Sequence, residues 1–159
     1  MESRMGIGYD VHILADGESL VLGGVKIPHD KGIQGHSDGD VLIHAVVDAL
    51  LGAAGLGDMG KFFPSYDDTW KDISSLLFLE KSAEKLLSAG MEIVNVDSTI
   101  IIQEPRITPH KDKMIKKMAG ALSVDPDRIS IKATTTDGLG ITGRGEGVAA
   151  LAVVSLNAS

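Results

Sequence analysis

Ten residues, Gly35-His36-Ser37-Asp38-Gly39-Asp40-Val41-Leu42-Ile43-His44, set two histidines, two carboxylates and a hydroxyl directly before an apolar run. Val41, Ala45, Val46, Ala49, Leu50 and Ala53 then recur at helical spacing, which predicts a helix with Ser37 or Asp38 as its N-cap and Asp40 in its first turn. On such a helix Asp40, His44 and Asp48 share one stripe. The stripe is either a metal-ligand imidazole oriented by carboxylates one turn away, or a capped surface helix whose polar residues face water. Asp10-Val11-His12 offers a second pair. Strand periodicity of two carries Asp10 and His12 to the same side, within reach of one ion or simply into solvent at a strand end. Asp10, His12 and His44 together make a two-histidine, one-carboxylate set, which suits tetrahedral zinc with one open position and therefore Lewis-acid or hydroxide chemistry.

A further set is Lys132-Ala133-Thr134-Thr135-Thr136-Asp137. Its hydroxyls and amides could hold phosphate oxygens and its carboxylate magnesium, or it is a β-branched strand end with exposed threonines. In Gly143-Arg144-Gly145-Glu146-Gly147, Arg144 either meets an anion or pairs with Glu146, within the chain or across a subunit interface. Asp58, in a glycine-rich exit from the first helix, lines a site or caps a turn, and Phe62 to Asp68 reads as a flexible flap. His29 lacks a partner at ligand spacing and reads as exposed.

The elements that must carry these residues follow from periodicity. Arg4 to His12 alternates as a strand, with Met5, Ile7, Tyr9 and Val11 as the expected buried face. Gly23-Gly24 joins two short strands as a tight hairpin. A second helix is capped by Asp72 and ends at Gly90, and Ile93 to Gln103 forms a buried central strand. A third helix spans Pro109 to Leu122. Strands follow at Ile129 to Thr135 and Val148 to Leu156, with a long glycine loop between them. The expected fold is one α/β (α+β) domain over residues 1–159, a mixed four- to five-stranded sheet with helices on one face. Twenty-two acids against 15 bases give a net charge of −7, which excludes a nucleic-acid binder. With no cysteine, a metal must use nitrogen and oxygen ligands. No apolar run approaches a membrane span, and the residues from Met1 to Arg4 do not read as a signal peptide, so a cytoplasmic setting is expected.

Five ordered motifs carry a resemblance over Arg4 to Leu156: Gly8-Tyr9-Asp10-Val11-His12, His36-Ser37-Asp38-Gly39-Asp40-Val41, Gly57-Asp58-Met59-Gly60-Lys61-Phe62-Phe63-Pro64, Lys132-Ala133-Thr134-Thr135-Thr136 and Thr142-Gly143-Arg144-Gly145-Glu146-Gly147. The sequence resembles the 2-C-methyl-D-erythritol 2,4-cyclodiphosphate synthase family of the non-mevalonate isoprenoid pathway. The resemblance implies a homotrimer with active sites between subunits. It implies a CMP-releasing cyclisation of a cytidine diphosphate-type substrate, 4-diphosphocytidyl-2-C-methyl-D-erythritol 2-phosphate. One zinc per subunit would lie on Asp10, His12 and His44, with magnesium or manganese on Asp137. His36 and Thr135 match the catalytic positions that stabilise the transition state. Ser37, Asp58, Gly60, Phe63 and Asp67 match substrate-loop positions, and Asp10, His12 and His36 also face substrate. The nucleotide side matches Ile102, Glu104, Pro105, Arg106, Thr108, Ala133, Thr134 and Thr135, contributed by a neighbouring subunit. Arg144, Glu146 and Ile141 match the lining of a cavity on the threefold axis. The chain departs from the family pattern where Asp137 replaces the usual glutamate, Arg106 a common lysine, Thr108 an apolar residue and Ile141 an aromatic. Two other readings use the same residues: a zinc phosphohydrolase giving linear products, and a non-enzymatic trimer with structural zinc. The ordered motifs oppose the first, and three ligands with an open position fit the second poorly.

Overall fold

A computed structural model describes residues 1–35 and 37–158. Five strands form a mixed sheet in the order β4-β1-β7-β5-β6: β1 is Glu2–Asp16, β4 Lys31–Ile33, β5 Met91–Ile101, β6 Ile129–Thr134 and β7 Gly147–Ala158. All neighbours are antiparallel except β5 and β6. That parallel pair needs a crossover, which α4 (Lys111–Leu122) supplies. The hairpin of β2 (Leu20–Leu22) and β3 (Val25–Ile27) turns through Gly23 and Gly24 at φ 58° and 75°, both in the left-handed region that a two-residue turn of this hand requires.

The fold is organised around α1 (Val41–Ala53), whose Val41, Leu42, Ile43, Val46, Val47, Leu50 and Leu51 are all fully buried. A helix apolar on nearly every side belongs in the interior. Here α1 lies between the sheet and α3 (Leu76–Ser88). Its contact with β1 is backbone to backbone. A Cβ on Gly6 would stand 2.0 Å from the Ala49 carbonyl oxygen, and one on Gly8 1.8 Å from that of Ala45. This corrects the expected orientation of β1. Met5, Ile7, Tyr9, Val11 and Ile13 are exposed, and the face with the glycines, Asp10 and His12 turns inward. Alternation distinguishes the two faces of a strand without naming the buried one. Only the hydrogen side chains admit a helix this close, so the glycine face receives it.

Helix starts also differ from expectation. Asp40, not Ser37 or Asp38, caps α1, accepting from the Ile43 amide at 3.1 Å. Helix α3 begins after Ser75, three residues beyond the start expected from a cap at Asp72, whose own backbone is left-handed at φ 56°. The third helix opens with a 3-10 turn, Thr108–His110, before α4. The glycine loop before β7 contains a helical turn, α5 (Gly140–Gly143). His29 is largely covered and lies 3.3 Å from Asp30 Oδ1, rather than exposed without a partner. Among the described residues no helix is long and apolar enough to cross a membrane.

Candidate metal centre and cavity

The close approach of α1 to β1 delivers His44 to the two side chains that β1 turns inward. Asp10 Oδ2 lies 2.8 Å from His12 Nε2 and 3.2 Å from His44 Nδ1, and the two nitrogens are 3.2 Å apart. A tetrahedral ion with bonds of about 2.0 Å needs ligand atoms separated by roughly 3.3 Å, so these three atoms outline one face of such a site. Burial would raise the Asp10 carboxyl. Hydrogen bonds and charge from His12 and His44 outweigh it and hold the group well below the ordinary carboxylate range. His12 shows the complementary balance: burial lowers its pKa, while Asp10 and the Gln34 backbone raise it further, above the usual histidine value.

The far side of His44 is held differently from the expected stripe. Its Nε2 lies 3.1 Å from Ser75 Oγ and 3.2 Å from Ser37 Oγ. Asp40 is engaged elsewhere, accepting from the Gly23 and Gly24 amides at 3.0 and 2.7 Å. Burial, and then the Asp38 charge, push Asp40 up to about 6 despite those amides. Asp48 accepts from the Met59 amide at 2.8 Å, and burial raises its pKa. Neither flanking carboxylate bonds His44, because each is used to fix the segment packed against it.

A cavity of about 320 Å³ opens beside the cluster, lined by Asp10, His12 and His44 together with Ser37, Asp58, Gly60 and Phe63. Both readings of Asp58 hold, since it also caps α2 (Met59–Phe62) by accepting from the Lys61 amide at 3.0 Å. Ser65, Trp70 and Phe78 also line the cavity, and no ligand-type spacing marks them in the sequence. The Phe63 ring stacks 4.7 Å from Phe78 and 5.1 Å from Trp70, and this pins the root of the segment read as a flexible flap. An unusual aromatic density between Phe62 and Trp70 in a chain with only 4% aromatics was the available signal. Asp67 caps a 3-10 turn, accepting from the Thr69 amide, and is not part of the cavity wall. His36 lies outside the described residues.

The hydroxyl set stands apart. Asp10 pairs with Ala150, Ala150 with Ile100, and Ile100 with Ala133, so Ala133 is three strand spacings away, roughly 14 Å. There Thr135 Oγ1 donates to Asp137 Oδ1 at 3.3 Å, and the Gly138 amide donates to Gln103 Oε1 at 3.2 Å. Ile102 is buried, its amide donating to the Thr134 carbonyl at 3.0 Å; Glu104, Arg106, Thr108, Thr134 and Thr135 are exposed and Pro105 is half-buried. Arg144 pairs with Glu146 within the chain, through two contacts of 3.2 and 3.1 Å, and Ile141 beside them is exposed.

The fold and site together define a mixed α+β sheet with a two-histidine, one-carboxylate cluster where its long first strand meets the buried helix α1. Residues 3–157 match the YgbB family, and the chain belongs to it. The chain is 54% identical over 153 residues to the 2-C-methyl-D-erythritol 2,4-cyclodiphosphate synthase of Desulfatibacillum aliphaticivorans, covering 96% of this chain and 99% of that protein. Among solved structures, the bifunctional IspDF of Campylobacter jejuni superposes with a TM-score of 0.95 at 41% identity, over 99% of this chain and 43% of that one. The IspF of Plasmodium falciparum, solved as a CDP complex, superposes with a TM-score of 0.87 at 33% identity, over 99% and 97% of the two chains.

Proposed function

We propose that this chain cyclises 4-diphosphocytidyl-2-C-methyl-D-erythritol 2-phosphate to 2-C-methyl-D-erythritol 2,4-cyclodiphosphate with release of CMP, a phosphorus–oxygen lyase reaction of isoprenoid biosynthesis. The observation that carries this reading is the Asp10, His12 and His44 cluster opening on a cavity, in a chain that synthases of that name match over 95–96% of its length. Zinc fits the cluster by donor type and spacing. Magnesium or manganese fits Asp137, a single exposed carboxylate that leaves most positions to phosphate and water. When bound, zinc supplies a Lewis acid to a β-phosphate oxygen, and magnesium neutralises charge between the α and β phosphates.

The substrate's 2-phosphate oxygen forms a new bond to the β-phosphorus as the bond to the CMP oxygen breaks, and CMP leaves with that electron pair. The nucleophile is already anionic, so the protein's task is placement rather than deprotonation. Ser37, Asp58, Gly60 and Phe63 hold the erythritol phosphate end, and the aromatic wall of Phe63, Trp70 and Phe78 keeps water from the β-phosphorus. His36 and Thr135 donate hydrogen bonds to oxygens that gain charge. The nucleotide contacts at Ile102, Glu104, Pro105, Arg106, Thr108 and Ala133 to Thr135 come from a neighbouring copy. Two observations support that trimeric arrangement: the three-strand separation of the two residue sets, and the uncovered apolar stripe on β1 and β7. A cytoplasmic location fits a chain without cysteine.

Two variants test the metal assignments. His44→Ala is expected to lose bound zinc by elemental analysis and about 10³-fold in rate while keeping its circular dichroism. Asp137→Ala is expected to keep zinc and need more magnesium for half-maximal rate. Stoichiometric zinc in the first, or an unchanged magnesium response in the second, would remove that residue from its role.

A further inference from the structure

We propose that Ser75, anchored by Asp38, is a positioning residue for His44 that fixes which ring nitrogen faces the metal. This rests on the proposed metal at Asp10, His12 and His44.

Ser75 immediately precedes α3, the place where a serine hydroxyl ordinarily accepts from the helix's first amides. It makes no such bond. The residue is completely buried, and its hydroxyl instead donates to Asp38 Oδ1, while its backbone amide donates to Asp38 Oδ2 at 2.8 Å. Asp38 Oδ1 also takes the Asp40 amide at 3.1 Å. Three donors thus converge on a carboxylate, which can only accept.

With its proton committed to Asp38, the Ser75 oxygen has only lone pairs to offer His44 Nε2, 3.1 Å away. In the metal-free protein Nδ1 can give a proton to Asp10 Oδ2. Once a metal replaces that proton, the Ser75 oxygen holds the ring's remaining proton on Nε2 and leaves the Nδ1 lone pair on the side of Asp10 Oδ2 and His12 Nε2. Ser37 Oγ is the other oxygen near Nε2, at 3.2 Å, and it lines the cavity, where the proposed function assigns it to substrate. The chain thus spends a helix cap to hold a ligand imidazole through a serine. Carboxylates beyond a ligand histidine commonly contribute about 10- to 100-fold in metal affinity.

The test is competition of zinc against a chromophoric chelator, together with proton NMR of the zinc-loaded protein. Ser75→Ala is expected to weaken zinc binding about 10- to 100-fold and to lose the slowly exchanging Nε2 proton of His44. Asp38→Asn keeps Ser75 in place but lets an amide donate to the hydroxyl, reversing its polarity, and a similar loss is expected. Ser82→Ala, which removes a buried α3 hydroxyl without a hydrogen-bond partner, is expected to bind zinc as the unsubstituted protein does. Zinc affinity within twofold of the unsubstituted protein in both Ser75→Ala and Asp38→Asn, or a ring proton unchanged in Ser75→Ala, would overturn the proposal. An unsubstituted protein that binds no zinc would instead overturn the metal assignment on which it rests.

Discussion

Asp10 Oδ2 sits between two imidazole nitrogens, and the charge balance there sets how the cluster competes for protons. Asp10 stays ionised far into acid, so the proton that opposes a metal in the neutral range is the one on His12, whose pKa is raised. In the metal-free protein the two groups have opposite signs. The His12 contribution to stability is complete below its unfolded value of 6.5 and is lost as pH rises through its raised folded value. The Asp10 contribution is present above its unfolded value of 3.8 and is lost as pH falls through its depressed one. Zinc affinity is therefore expected to fall roughly tenfold per pH unit once His12 is protonated. Chelator titrations between pH 8 and 5 check this, and a flat profile would contradict it. The metal trio was legible because two local periods, two for the strand and 3.6 for the helix, fix where its side chains point. Ser75 was not. Its bond to His44 spans 31 residues, and nothing in a serine before an apolar helix distinguishes a cap from a hydroxyl turned away.

At the scale of elements, the expected strands and the three longer helices lie where periodicity put them, and their ends moved. The reason is visible at Asp40. Read along the sequence, it is one of two carboxylates near a helix N-terminus. In the fold it is the one that meets the Gly23-Gly24 turn, so it takes the cap and three amides together. Asp40→Ala leaves those amides without their acceptor, and is expected to cost about 3 kcal/mol, or roughly 6–12 °C in melting temperature. A loss under 1 °C by calorimetry would show that water replaces the carboxylate there. The inverted faces of β1 have a similar cause. Hydropathy favours Met5, Ile7 and Tyr9 as core, but Gly6 and Gly8 on the opposite face accept α1 against the backbone. The large side chains are left outside on a surface one chain does not cover.

That surface belongs to the whole molecule. Met5, Ile7, Tyr9, Val11 and Ile13 run beside Leu151 and Val153 of β7, a continuous apolar face of the kind that marks a subunit contact. A strand can thus look buried in sequence and be exposed in the single chain, and the proposed trimer would cover it. Ile7→Glu would place a charge in the middle of the stripe. On the proposed trimeric arrangement, sedimentation is expected to show a three-chain mass for the unsubstituted protein and a single-chain mass for the variant, with activity lost alongside, since the proposed nucleotide side would no longer reach the cavity of its neighbour. An active single-chain species would contradict the shared site. The most direct test of the account is phosphorus NMR of the purified protein with the diphosphocytidyl substrate, zinc and magnesium. The expected result is cyclic diphosphate appearing in step with CMP. CMP accompanied only by linear phosphates would mean that water reaches the β-phosphorus, and would contradict the assignment of this cavity to cyclisation.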